Sequence, residues 1–345
     1  MQTLSEIQQI EARISEMGSA MRSEVLAYSE DGGLRLPIYK LSFGTDDPTA
    51  PVLGIIGGVH GLERIGAQVT MSLFHSLCEL VQWDQQMQRT LREVRIFFIP
   101  TVNPIGILKK SRSNPRGVDL MRNAPVDGDG PPRLLGGHRL SSKLPWYRGI
   151  AGAPMEVESL ALIKGVQDEI QESDLAITLD CHSGFGLQDR LWFPYAKTKI
   201  PFPELGLAHS FMALLDRTYP HHFYRFEPQA DTYTTHGDLW DYIYDQHEGI
   251  RRNKKYLPLC LEMGSWMWVK KHPLQIFSSE GPFNPLIGHR HKRTLRRHNT
   301  LLELLIRSLI SGAAWTGAQQ LREHRQLAQK LWYDRKPVAR SRYPS

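Results

Sequence analysis

Four short stretches of this 345-residue chain carry side chains that could bind a metal ion or move a proton. In the first, Gly57-Gly58-Val59-His60-Gly61-Leu62-Glu63, a histidine and a glutamate three residues apart can reach one cation if the chain turns sharply, and the flanking glycines permit that turn. The second, Leu179-Asp180-Cys181-His182-Ser183-Gly184, adds a histidine at the end of an apolar run. His60, Glu63 and His182 supply the number and types of protein ligand that a catalytic zinc takes, with a fourth position left for water. The third, Cys260-Leu261-Glu262-Met263-Gly264, closes another apolar run with a carboxylate. Such a group is costly to bury, so Glu262 reads either as half of a buried ion pair or as a base for water activated by the metal. The fourth joins Asn103-Pro104-Ile105-Gly106 to the segment from Arg112 through Asp119 and Met121 to Arg122 and Asn123. Arg112, Arg122 and Asp119 in one irregular loop fit anion recognition, because a guanidinium grips carboxylates through paired hydrogen bonds. A solvated basic loop would have the same composition.

The elements that must position these residues alternate in type. Residues 52–57 and 94–100 are apolar runs rich in branched side chains, as strands buried on both faces are, and 65–81 has helical spacing between them. The rhythm recurs with a helix over 156–170, a strand over 175–180, a helix over 205–215 and a strand over 256–262. Pro258 points to an edge or irregular place for that last strand. Residues 296–311 read as one long amphipathic helix. Leu4, Ile7, Ile10, Ile14 and Met17 predict a helix over 3–18 capped by Thr3, and 24–43 reads as two strands around Glu30-Asp31-Gly32-Gly33. The expected fold class is α/β, a mixed sheet flanked by helices. His60 and His182 both follow strands, where open α/β sheets bind ligands. Two stretches, 111–152 and 219–253, carry no regular pattern, and irregular segments of that length are commonly functional.

Composition narrows the classes. Hydrophobic residues at 41% and charged ones at 23% suit a soluble globular enzyme. The net charge of +6 gathers partly in 289–298 and in 335–345. No zinc-finger spacing, aromatic RNA-binding motif or P-loop accompanies it, so a solvated helix face is the expectation and nucleic acid is not an expected partner. Cys78, Cys181 and Cys260 are odd in number and lie in apolar stretches, which argues against a disulfide framework and for a reducing compartment. The first residues lack a basic region followed by an apolar run, and no stretch approaches the roughly 18 apolar residues that span a bilayer. A cytoplasmic location without membrane contact is therefore expected; the oligomeric state is left open.

Taken in order, His-x-x-Glu, Asn-Pro-x-Gly, Arg followed by Gly-Val-Asp-x-x-Arg-Asn, His-Ser and a strand-end Glu, these segments resemble the zinc metallocarboxypeptidase family of the carboxypeptidase A type. The resemblance covers roughly residues 50–265. It implies a carboxypeptidase-like fold with a central, mostly parallel eight-stranded mixed sheet, and hydrolysis by water activated on one zinc ion. By the same resemblance His60, Glu63 and His182 are the zinc ligands and Glu262 the general base. Asp119 is similar to the aspartate that accepts a hydrogen bond from the first zinc histidine. Arg112 resembles the residue that polarises the scissile carbonyl, and Arg122, with Asn123, the group that binds the substrate's terminal carboxylate. Tyr233 is the best match to the family's mobile tyrosine, ahead of Tyr242 and Tyr244.

The chain departs from the pattern at Met121, where the family places an asparagine, and at Arg64, where small or acidic residues are common. The resulting expectation is a single catalytic domain over 1–345, with a core over 20–315, an N-terminal helix over 1–19 and a helical, basic tail over 316–345. Its substrates would be small peptides cleaved at a C-terminal peptide or amide bond. The alternative is a zinc deacylase of N-acyl amino acids, similar to succinylglutamate desuccinylase or aspartoacylase, which share the fold and the His-x-x-Glu … His logic.

Overall fold

Strands that are apolar on both faces need cover above and below, and the molecule provides it with one sheet between layers of helix. The computed structural model describes residues 3–184, 186–250 and 254–334, the side chains of 248–250 excepted. The strands are β1 (Arg22–Asp31), β2 (Leu34–Gly44), β3 (Val52–Gly57), β4 (Arg95–Ile99), β5 (Leu175–Gly184), β6 (Arg190–Phe193), β7 (Arg225–Pro228) and β8 (Lys255–Gly264). They form a single eight-stranded sheet in the order β1-β2-β4-β3-β5-β8-β6-β7. From β4 through β3 and β5 to β8 the neighbours are parallel, as are β6 and β7, whereas β1–β2, β2–β4 and β6–β8 are antiparallel. This is the expected mixed α/β sheet.

The helices are α1 (Ser5–Met17), α2 (Arg64–Trp83), α3 (Gln85–Thr90), α4 (Pro104–Lys109), α5 (Val157–Ile170), α6 (Leu205–Thr218), α7 (Leu239–Ile250), α8 (Trp266–Lys271), α9 (Gly288–Arg297), α10 (Asn299–Ile310) and α11 (Ala318–Ala328). α2 lies on the Cys181 side of β5, so close that a Cβ at Gly66 would stand 2.1 Å from the Cys181 carbonyl oxygen. α7 covers the opposite side, where Trp240 Nε1 donates to Asp180 at 2.8 Å. No helix among the described residues is long and apolar enough to cross a membrane.

Several local expectations change. β8 is interior, between β5 and β6, despite Pro258. The β6 ladder reaches only from Cys260 to Glu262, so Pro258 lies opposite Thr178 of β5 with no β6 residue on its other side and no donor is missed there. The helix read over 296–311 is α10, which starts at Asn299 after a break from α9 at His298, a residue that is buried and bonded to the Tyr224 hydroxyl at 2.9 Å. Leu4, not Thr3, precedes α1, with no side-chain cap. The stretch 219–253 contains β7 and α7, whereas 111–152 is irregular apart from one 3₁₀ turn, Leu120–Arg122. α11 packs on α6, and Trp332 is buried against Phe193 and Phe226. The basic segment 335–345 lies outside the described residues.

Candidate metal centre and its cavity

Because β3, β5 and β8 are adjacent and parallel, their carboxyl ends open onto one edge of the sheet. His60 follows β3 after a turn in which Gly58 has φ +70°, a conformation that suits glycine. Glu63 sits at the start of α2, and His182 lies on β5 directly beside Glu262 of β8. Ligand atoms of His60, Glu63 and His182 all fall within 4.8 Å of one another, the one group of three or more metal-binding side chains among the described residues. All three are buried.

Both imidazoles are oriented by carboxylates. His60 turns Nδ1 to Glu63 Oε1 at 2.9 Å and Nε2 to Asp119 Oδ1 at 2.9 Å. His182 turns Nδ1 to Glu63 Oε2 at 3.1 Å and Nε2 to Asp180 Oδ2 at 2.7 Å. A carboxylate behind a histidine fixes its tautomer and makes the inner nitrogen a better donor to a metal. His60 Nδ1, although near Glu63, lacks hydrogen-bond geometry and is a buried nitrogen with no partner. An orphaned donor atom, two histidines and a carboxylate make a set that fits one zinc ion.

The charges favour a cation. Burial alone would raise Glu63, but the His60 charge, the hydrogen bond from His182 and the Arg112 guanidinium hold it well below the usual range. Burial would lower His182, but Asp180 and Glu63 outweigh it and hold the ring well above its ordinary value. Asp119 is likewise held low, burial being overcome by Arg112 and His60. Glu262 moves the other way: burial first, then the Glu63 charge, push it up to about 8. Its carboxylate leaves no room for a side chain at Gly184, where a Cβ would meet Oε1 at 2.3 Å.

The group opens into a cavity of about 600 Å³ lined also by Arg112, Met121, Arg122, Arg190, Trp192, Tyr233, Cys260 and Glu262. Arg112 is held by Asp119 through Nε at 2.9 Å and by Glu63 through a terminal nitrogen at 2.7 Å. Asp119 caps the 3₁₀ turn that carries Met121 and Arg122, so one buried carboxylate sets a histidine, an arginine and a turn. Arg148 clamps that turn from outside, donating from Nε to the Arg122 carbonyl at 3.2 Å. Arg122 itself is 3% exposed, with an unpartnered Nε and, among the described residues, no carboxylate within ion-pair distance. Tyr233 is 39% exposed and stands edge-on to Trp192 at 6.3 Å. Its hydroxyl is raised by its enclosure, which the Arg122 charge partly offsets.

The structure does not bring Asn123 into this cavity. Its amide donates to the Arg148 carbonyl at 3.0 Å and accepts from the Glu156 N–H at 2.7 Å, bracing the loop. Tyr242 and Tyr244 lie on α7, and Tyr256 bonds Thr178 inside β8. Arg64 is accounted for by Glu6, which it grips through Nε at 2.7 Å and a terminal nitrogen at 2.9 Å, tying α1 to α2. Sequence reasoning passed over Asp180, Arg190 and Trp192. Asp180 carried a signal, since residues two apart on a strand share a face and it stands two before His182. Arg190 and Trp192 lie on a four-residue strand with no periodicity to mark it.

Comparisons with known proteins bear on the family and the fold. The model of a family described as zinc carboxypeptidase matches residues 11–264. The carboxypeptidase N catalytic chain of Rattus norvegicus is 31% identical over 105 residues, covering 26% of this chain and 23% of that one. The chain thus matches less than a quarter of that relative's length. Among solved structures, thrombin activatable fibrinolysis inhibitor superposes with a TM-score of 0.65 at 16% identity over 90% of this chain and 77% of the other. Carboxypeptidase A from Helicoverpa armigera does so with a TM-score of 0.58 at 16% identity, covering 77% and 65%. These likenesses establish the fold.

Proposed function

We propose that this chain, which belongs to the zinc carboxypeptidase family, hydrolyses the C-terminal peptide or amide bond of small peptides. The observation that carries the reading is Arg122, a buried guanidinium with an unpartnered Nε in the wall of the cavity that holds the metal-binding group. A buried guanidinium with unmet hydrogen-bonding capacity is costly, and a substrate's terminal carboxylate would relieve that cost. Zinc held by His60, Glu63 and His182 would acidify water and polarise the scissile carbonyl. Glu262, beside His182 and with no hydrogen bond from any described residue, would accept a proton at its carboxylate and return it to the leaving nitrogen. A cation nearby would offset the Glu63 charge and bring Glu262 down from about 8, into the ionised form a base needs. Arg112 would steady the oxyanion through its remaining terminal nitrogen, and Tyr233 would close on the bound peptide. The three cysteines are free, which supports a reducing, cytoplasmic setting.

The test is to assay the zinc-loaded chain on N-blocked dipeptides with a free C-terminus and on N-acyl amino acids. Cleavage of the dipeptides is the expected result. Cleavage of N-acyl amino acids alone would replace this reading with a deacylase.

A further inference from the structure

Three arginines line the cavity, and two have been given a role. The third, Arg190, lies on β6, opposite Glu262 of β8 and opposite Arg225 of β7. Trp192, two residues on, stands opposite Cys260 and Glu227. Since side chains alternate across a strand, Arg190, Trp192, Cys260, Glu262 and Glu227 project from one face of the sheet. Four of the five line the cavity, and Glu227 is buried behind them.

Glu227 anchors Arg190 from that side. It accepts from Arg190 Nε at 3.0 Å and from Trp192 Nε1 at 3.4 Å, and it pairs with Arg225. Two arginines on one carboxylate leave a net positive charge, and the Arg190 side chain is 21% exposed. No described residue hydrogen-bonds its terminal nitrogens. The result is a fixed cation with its two-pronged end free, in the wall next to the proposed base. Trp192, Met121 and Cys260 supply apolar surface in the same wall, enough for a short methylene stem.

Resting on the peptidase reading above, we propose that Arg190 selects peptides whose C-terminal residue carries a side-chain carboxylate. Arg122 takes the main-chain carboxylate and Arg190 the side-chain one. A basic side chain meets a like charge there. A purely apolar one would desolvate Arg190 without replacing its lost water, so both are disfavoured.

The experiment compares three N-acylated dipeptides that differ only in ending with Glu, Gln or Leu, using the full zinc-loaded chain. The expected kcat/KM is at least about tenfold higher for Glu than for its neutral isostere Gln. Arg190→Gln should bring that ratio to within about threefold of unity, and Arg190→Lys should keep part of it, a point charge replacing the fork. The wild-type Glu/Gln ratio needs no variant to fold. If Gln or Leu is cleaved as well as Glu, the Arg190 assignment falls while the peptidase reading stands. If none of the three is cleaved and N-acyl amino acids are, the peptidase reading falls and this inference with it.

Discussion

The two walls of the cavity are built by different means. The wall that groups the candidate metal ligands and Glu262 comes from the carboxyl ends of β3, β5 and β8, interior strands that run parallel to one another, and from the start of α2. Each of its histidines has a carboxylate on either side. The wall that would meet the substrate comes from the four-residue β6, the irregular loop at 111–152 and the segment carrying Tyr233. Here the groups are a methionine, a tryptophan, a half-exposed tyrosine and two arginines with free hydrogen-bonding capacity. The first wall constrains its residues so tightly that their types follow from the chemistry. The second holds what distinguishes one hydrolase of this fold from another.

The largest effects should fall on the first wall, and two variants separate its parts. His182→Ala removes a ligand and should reduce zinc from one ion per chain to none after dialysis, measured by atomic emission. Glu262→Gln should keep the full zinc content and lose roughly 1,000-fold in kcat, within the range for removing a general base. Zinc retained by the first variant, or turnover by the second, would show that the wall has been divided wrongly. Asp180→Asn probes the support behind it. Asn keeps the shape but not the charge behind His182 Nε2, so zinc affinity should fall about 10- to 100-fold in competition with a chelator.

The unequal legibility of the walls follows from the same difference. Continuous apolar runs announced β3, β5 and β8, and a side chain at the end of a parallel strand has few places to point, so His60, Glu63, His182 and Glu262 stood out as candidates whose roles the family resemblance then supplied. Asn123 shows the limit. It adjoins Arg122 in sequence, yet the end of a 3₁₀ turn sends it to Arg148 and Glu156 instead of the cavity. Arg190 was hidden for another reason. Its importance comes from facing Glu262 across an antiparallel pair 72 positions away, which no local pattern encodes. The break at His298 is similar, because periodicity cannot see that the side chain is claimed by Tyr224.

That histidine offers a test of how the second wall is braced. His298 bonds Tyr224, next to β7, and its Nε2 lies 3.8 Å from Asp189, next to β6, which also pairs with Arg297 and accepts from the Gly264 N–H. Burial, with Arg297, pushes His298 down to about 3. The unfolded chain therefore takes up the proton first, near 6.5. Stability is full above that pH and falls as the pH drops toward 3, by about 1.4 kcal/mol per unit. Asp189 works in the opposite sense, burial raising its carboxyl, and Tyr224, its hydroxyl also raised by burial, stays neutral in this window. Comparing wild type with His298→Gln between pH 6.5 and 5 isolates the histidine. The variant's melting temperature should fall less steeply, and equal slopes would mean that His298 does not brace this wall through its neutral form.

Met121 carries the smallest expected effect and addresses the comparison most directly. It is 5% exposed, lines the cavity, and sits beside Arg122 on the turn capped by Asp119. An asparagine there would offer a second donor to the substrate's terminal carboxylate, but it would remove apolar surface from the core. Met121→Asn should therefore lower KM for C-terminal peptides by about three- to tenfold with kcat little changed, the signature of added binding felt equally before and in the transition state. The same change should reduce stability by about 1 kcal/mol. If KM rises instead, the methionine is itself part of the binding surface, and the second wall is fitted to an apolar stem at the point where the family places a polar contact.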